Sequence, residues 1–158
     1  KGNLNMLRVG DRAPDFELPS YDGSTFRLKD HRGKKIVLYF YPKDHTPGCT
    51  KEACSFRDNY DSFRKKDALI VGISADSPAS HTSFAKKNNL PFLLLSDEDK
   101  KVLKLYGVWK KKQMYGRTFY GIERTTFVID EEGIIRRIFT KVKVNGHSEE
   151  VLDSLLEQ

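Results

Sequence analysis

Two uninterrupted apolar runs, Lys35–Tyr41 (KIVLYFY) and Ala68–Ser74 (ALIVGIS), limit what this chain can fold into more than any other feature. A strand with one wet face alternates apolar and polar residues. These runs do not alternate, so each has the pattern of a strand covered on both faces. Covering both faces requires helices, and the sequence between and after the runs supplies them. Pro42 ends the first run, Pro47-Gly48 punctuates a loop, and Ala53, Phe56, Tyr60 and Phe63 then recur at helical spacing over about Cys49–Lys65. Asp76-Ser77-Pro78 opens a second helix to about Asn88, with proline near the first turn, where no N–H is needed. Phe92–Leu95 reads as a short third strand. Ser96-Asp97-Glu98-Asp99 then caps a helix that carries Val102, Leu103 and Tyr106 and stops at Gly107.

The ends of the chain add antiparallel pieces. Phe16–Leu18 and Thr25–Leu28, separated by Tyr21-Asp22-Gly23, read as a hairpin. Arg124–Ile129 and Ile134–Thr140 read as a second hairpin around Asp130–Gly133, and Ser148-Glu149-Glu150 opens a final helix through Val151, Leu152, Leu155 and Leu156. Residues 108–122 read as an aromatic and basic loop, with its aromatics packed and its lysines solvated. The order predicts one α/β domain over residues 7–158: a central mixed β-sheet flanked by helices, with an N-terminal β-hairpin extension. Residues 1–6 have no apolar stretch of signal-peptide type and are expected to be a disordered extension or a vector remnant.

A net charge of +6 raises the question of nucleic acid, but the 28 basic residues are interspersed with 22 acidic ones. Lys110-Lys111-Lys112 and Arg136-Arg137 are short clusters without a long basic tract, so a solvated surface accounts for them better. No apolar run approaches the length of a membrane span. The expectation is a cytoplasmic protein that binds neither nucleic acid nor membrane.

Cys49 and Cys54 are the only cysteines. Two are too few to staple a secreted scaffold, and in a reducing compartment such a pair is more often catalytic. Cys49 lies where a loop runs into a helix. Unpaired backbone N–H groups and the positive end of the helix dipole there favour thiolate, the nucleophilic form. A second thiol five residues on can trap the oxidised product of the first. The spacing is also a constraint. In a regular helix two such Cα atoms are roughly 8.6 Å apart, and disulfides need less than about 7 Å. If both cysteines are helical, the helix must unwind locally before they join. His31, His45, His81 and His147 are isolated and do not match zinc-ligand spacing, so no metal is expected.

The run 41–54 (YPKDHTPGCTKEAC) resembles the active site of peroxiredoxins, the thiol peroxidases of the thioredoxin fold. Their Pro-x-x-x-Thr-x-x-Cys pattern is met by Pro42, Thr46 and Cys49, and a cysteine at Cys54 is similar to the Q-type branch, the bacterioferritin comigratory proteins. The resemblance continues from residues 9–16 (VGDRAPDF) through 106–109 (YGVW) to 124–130 (RTTFVID). It implies a thioredoxin fold and a reaction with hydrogen peroxide or alkyl hydroperoxides, without a cofactor. It further implies that Cys49 attacks and becomes a sulfenic acid, that Cys54 resolves it as an intrachain disulfide, and that thioredoxin or a glutaredoxin-like dithiol restores both thiols. Thr46 is implied to hydrogen-bond a peroxide oxygen, Pro42 to shield the sulfur, Arg124 to stand beside it, and Glu52 to hold the arginine. A monomer suffices for this chemistry. Taken singly, these residues have ordinary readings as turn residues, surface charges or a buried thiol; the joint pattern is what carries the assignment. A protein disulfide oxidoreductase fits less well, since the motif is not Cys-x-x-Cys. The alternative from another class is a basic module that binds nucleic acid or a partner protein, with incidental cysteines.

Overall fold

Both apolar runs are interior strands of one five-stranded sheet in the computed structural model, which describes residues 6–156. The expectation of disorder for residues 1–6 lies, apart from Met6, outside the described residues, as do the last two positions of the predicted domain. The strands are β3 (Lys35–Phe40), β4 (Ala68–Ser74), β5 (Leu93–Ser96), β8 (Thr125–Ile129) and β9 (Ile135–Phe139), in the spatial order β5-β4-β3-β8-β9. β3, β4 and β5 run parallel, while β8 lies antiparallel to β3 and to β9, so the sheet is mixed.

The continuous apolar pattern has a direct cause. Ile36, Leu38 and Phe40 point into one buried cluster, and Val37, Tyr39 and Tyr41 into the other, on the opposite face. One face is covered by α1 (Pro47–Asp58), α2 (Tyr60–Lys65), α3 (Pro78–Asn88) and α5 (His147–Leu156), whose buried residues join the second cluster. The other is covered by α4 (Lys101–Leu105) and by the N-terminal hairpin of β1 (Glu17–Pro19) and β2 (Thr25–Arg27). A 3₁₀ turn at Leu28–His31, not anticipated from sequence, follows that hairpin.

Two expectations need correction. The helix predicted over 49–65 begins earlier, at Pro47, and breaks at Asn59. The Asn59 backbone leaves helical geometry (φ −102°, ψ 10°), and its Nδ2 donates to Ser148 Oγ at 2.8 Å and Glu149 Oε2 at 2.9 Å, which ties the break to α5. Residues 108–122 are not a loop: β6 (Trp109–Met114) and β7 (Arg117–Ile122) form an antiparallel ribbon. Tyr115 and Gly116 turn it with φ of 53° and 74°, the double positive φ of a tight hairpin turn. Its aromatics are only partly packed. Trp109 and Tyr120 stack, but Tyr115 is 94% exposed. Among the described residues no helix is long and apolar enough to cross a membrane.

Candidate active site

The three parallel strands end at one edge of the sheet, where loops can carry side chains over a rigid frame. β3 runs through Tyr41 and exposed Pro42 into the loop that leads to α1. Thr46 is the N-cap residue of α1, Pro47 its first helical residue, and Cys49 sits in its first turn. The first N–H groups of a helix have no partner within it, and proline has none to offer, so those of Gly48 and Cys49 face outward from the helix end.

The buried stripe of α1 is Cys49, Glu52, Ala53 and Phe56, spaced three, four and seven residues from the first. That spacing is one helix face, and it turns the Cys49 thiol and the Glu52 carboxyl to the same side, each 1% exposed. Cys54 lies off the stripe and is only part-buried; both cysteines are free thiols. Arg124 precedes β8, which pairs Thr125 with Phe40 and so brings the arginine beside the start of α1. Its Nη1 donates to Glu52 Oε1 at 2.5 Å and its Nη2 to Cys49 Sγ at 3.4 Å. A Cβ on Gly48 would stand 3.3 Å from that Nη2, so the glycine leaves room for the guanidinium.

Thr46 Oγ1 donates to the Lys43 carbonyl at 2.8 Å. With its proton committed, the hydroxyl is left with lone pairs that can accept a hydrogen bond. Of the six residues singled out from sequence, the structure joins Cys49, Glu52 and Arg124 directly. It places Thr46 three residues before the sulfur at the helix cap, leaves Pro42 exposed at the end of the strand, and sets Cys54 on another side of α1.

The electrostatics follow from burial. Burial pushes the Glu52 carboxyl up to about 7, against the pull of Arg124. Burial also works against the Arg124 charge, but Glu52 and Cys49 facing it raise it on balance. Because Glu52 takes up a proton on folding, its contribution to stability is full below its unfolded value of 4.5 and is lost as pH rises through about 7. The loss amounts to about 3 kcal/mol. Urea unfolding at pH 5 and pH 7.5, a window that holds most of that loss, should therefore show the parent losing about 2 kcal/mol more than Glu52→Gln, which cannot titrate. Parallel slopes for the two proteins would refute this.

Sequence reasoning missed a second buried network behind the loop. Asp44 Oδ1 accepts from the Tyr41 hydroxyl at 2.6 Å, and Asp44 Oδ2 accepts from Ser80 Oγ at 2.8 Å and lies 2.7 Å from His81 Nδ1. His81 Nε2 donates to the Leu95 carbonyl at 3.0 Å. Burial alone would raise the Asp44 carboxyl, but the bonds from His81, Tyr41 and Ser80 hold it below its usual range. His81, read as isolated, is thus completely buried and ties α3 to the loop that carries Thr46. Asp44, Asp76 and His81 bring ligand atoms within 4.8 Å of one another. Their polar atoms are engaged with each other and with Tyr41, Ser74 and Ser80, which anchors the loop. Only the position of Asp44 within the motif run hinted at this; nothing in the sequence links it to a histidine 37 residues away. Tyr39 was also missed. It is buried beside Glu52 and Cys49, with a hydroxyl that finds no hydrogen-bond partner among the described residues, and burial followed by the Glu52 charge keeps it protonated.

The profile of the AhpC/TSA family matches residues 9–138. The chain is similar to peroxiredoxin Bcp of Bacillus subtilis, at 51% identity over 94% of this chain and 95% of that protein. Among solved structures it is similar to the peroxiredoxin Q of Xylella fastidiosa, with a TM-score of 0.91 and 37% identity over 96% of each chain. It is also similar to the bacterioferritin comigratory protein of Xanthomonas campestris, studied for alkyl peroxide reduction, with a TM-score of 0.87 and 41% identity over 90% of each chain. The fold of both is the one predicted for this chain.

Proposed function

The chain belongs to the AhpC/TSA family as a Bcp-type peroxiredoxin, a thiol peroxidase, and from that premise we propose that Cys49 is its peroxide-reducing sulfur and Cys54 the thiol that resolves it. The observation that carries the assignment is the Arg124 guanidinium, held by Glu52 and directed at Cys49 Sγ, and at no other sulfur, from 3.4 Å. The Cys49 thiolate attacks the terminal oxygen of a hydroperoxide, the O–O bond breaks, and sulfur keeps OH as a sulfenic acid. The remaining oxygen leaves as alkoxide or hydroxide and takes up a proton. Thr46 accepts from the peroxide O–H, while the Arg124 charge and the free N–H groups of Gly48 and Cys49 stabilise negative charge, first on sulfur and then on the departing oxygen. Pro42, apolar and without an N–H, shields the sulfur from water. Glu52 holds the arginine in place.

Cys54 then displaces water from the sulfenic acid to give an intrachain disulfide, and thioredoxin or a glutaredoxin-like dithiol exchanges it back to two thiols. Both sulfurs are in one chain, so a monomer suffices. Both also lie in α1, where a regular helix holds them too far apart to bond, so the segment around them must open during each cycle. The test is one equivalent of peroxide added to reduced protein, followed by a thiol count and an intact mass. Loss of two thiols and two hydrogens without a dimer is expected; a covalent dimer would overturn the intrachain reading. Cys54→Ser should still consume its first equivalent at the parent rate, lose dithiol-driven turnover, and over-oxidise to sulfinic acid more readily.

A further inference from the structure

We propose that Asn88, at the last turn of α3, is a positioning residue that holds Cys54 away from Cys49 and so sets the rate at which the disulfide closes; this rests on the reading of Cys54 as the resolving thiol. Three bonds define the hold. Asn88 Nδ2 donates to the Phe84 carbonyl at 3.0 Å, and since a carbonyl only accepts, the orientation of the amide is fixed. Its Oδ1 is thereby turned to Cys54, whose Sγ donates to it at 3.6 Å. The Asn88 backbone carbonyl meanwhile accepts from Arg57 Nη1 at 2.9 Å. Cys54 and Arg57 are three residues apart on one side of α1, so a single residue grips the helix at two successive points.

The grip has a firm base. α3 is capped at its start by Ser77, whose hydroxyl accepts from the Ser80 N–H at 3.1 Å, and at its end by Asn89 in the left-handed conformation. Through His81 and Ser80 it also holds Asp44, in the loop before α1. Residues 49–54 therefore lie between two attachments to the same helix. Closing the disulfide moves Cys54 out of this position and releases its proton to the departing hydroxyl, so that sulfenic acid and thiol yield the disulfide and water. The Cys54–Asn88 bond must break first. The peroxide step uses neither residue. Asn88 thus lengthens the life of the sulfenic acid, the state in which a second peroxide can over-oxidise Cys49.

The test measures the two steps separately in Asn88→Ala, Asn88→Asp and the parent, by stopped-flow oxidation of Cys49 and quenched-flow mass analysis of disulfide closure. In Asn88→Ala, closure is expected to be about three- to fivefold faster, as for loss of one weak hydrogen bond. The peroxide step should be unchanged, and sulfinic acid at a fixed excess of peroxide should fall. Asn88→Asp, which keeps an acceptor toward the sulfur but loses the donor to the Phe84 carbonyl, should return closure part of the way to the parent rate; a purely structural lesion would not be rescued this way. Closure in Asn88→Ala equal to or slower than in the parent would overturn the proposal. Failure of the parent to form any intrachain disulfide would instead remove the resolving role of Cys54, and the hold with it.

Discussion

Cys49→Ser is expected to yield a folded protein that no longer consumes peroxide. The substitution nearly preserves shape, and the buried site can accept a hydroxyl, because Arg124 Nη2 already points at the atom it replaces. A satisfied buried hydroxyl costs little, so stability should change by no more than about 2 kcal/mol. The chemistry does not survive. A serine hydroxyl stays protonated near neutral pH, and oxygen is a poor nucleophile toward another oxygen, so the Arg124 charge has no anion to stabilise. Removing a covalent nucleophile from an assembled site costs roughly six orders of magnitude. Residual consumption should therefore come only from Cys54, whose sulfur is bonded to the Asn88 amide and, among the described residues, to no guanidinium, and should vanish in the double serine variant. Peroxide decay by stopped flow, with a thermal melt beside it, provides the measurement. Full turnover in a folded Cys49→Ser protein would refute the assignment of Cys49.

The layout of the sheet was legible because burial leaves a pattern. Strands covered on both faces cannot hide, and Ala68–Ser74 was delimited from sequence as it stands in the structure. The ribbon at 109–122 was illegible for the opposite reason. Both its faces are largely solvated, so Lys110-Lys111-Lys112 erases any alternation, and only the two-residue Tyr115-Gly116 turn betrays it. The break at Asn59 is set by Ser148 and Glu149, about ninety residues away, and no local signal encodes it. The site divides in the same way. Cys49 and Glu52 share a face by helical spacing alone, which sequence can give. That Arg124 reaches both depends on the antiparallel pairing of β8 with β3, and only the family resemblance anticipated it. The Asp44–His81 network had no precedent in the motif, and it went unseen.

Replacing Arg124 by alanine probes that long-range juxtaposition directly, and it should slow the peroxide step by about 10²–10³-fold, the usual effect of removing a preorganised donor to developing negative charge. A second effect must be kept apart from this one. Among the described residues Arg124 is the only hydrogen-bond partner of Glu52 Oε1, and Glu52 Oε2 already has none, so the variant buries an unpaired carboxylate. Breaking such a pair costs about 3–5 kcal/mol. That cost shrinks when the carboxyl takes up a proton, to which burial already inclines it near pH 7. The two losses therefore respond differently to pH: at pH 5.5 most of the stability should return while the slow peroxide step persists. Glu52→Gln in the Arg124→Ala background should likewise restore stability at pH 7.5 without restoring rate. Arg124→Lys separates charge from geometry, since one ammonium cannot reproduce the two-pronged contact with Glu52 and Cys49, and its rate should fall between parent and alanine. Stopped-flow rates and urea unfolding at the two pH values give every quantity needed. A folded Arg124→Ala protein that oxidises within about tenfold of the parent rate at both pH values would show that the guanidinium is only a structural tether for Glu52, well short of the loss expected for a donor to the reacting atoms.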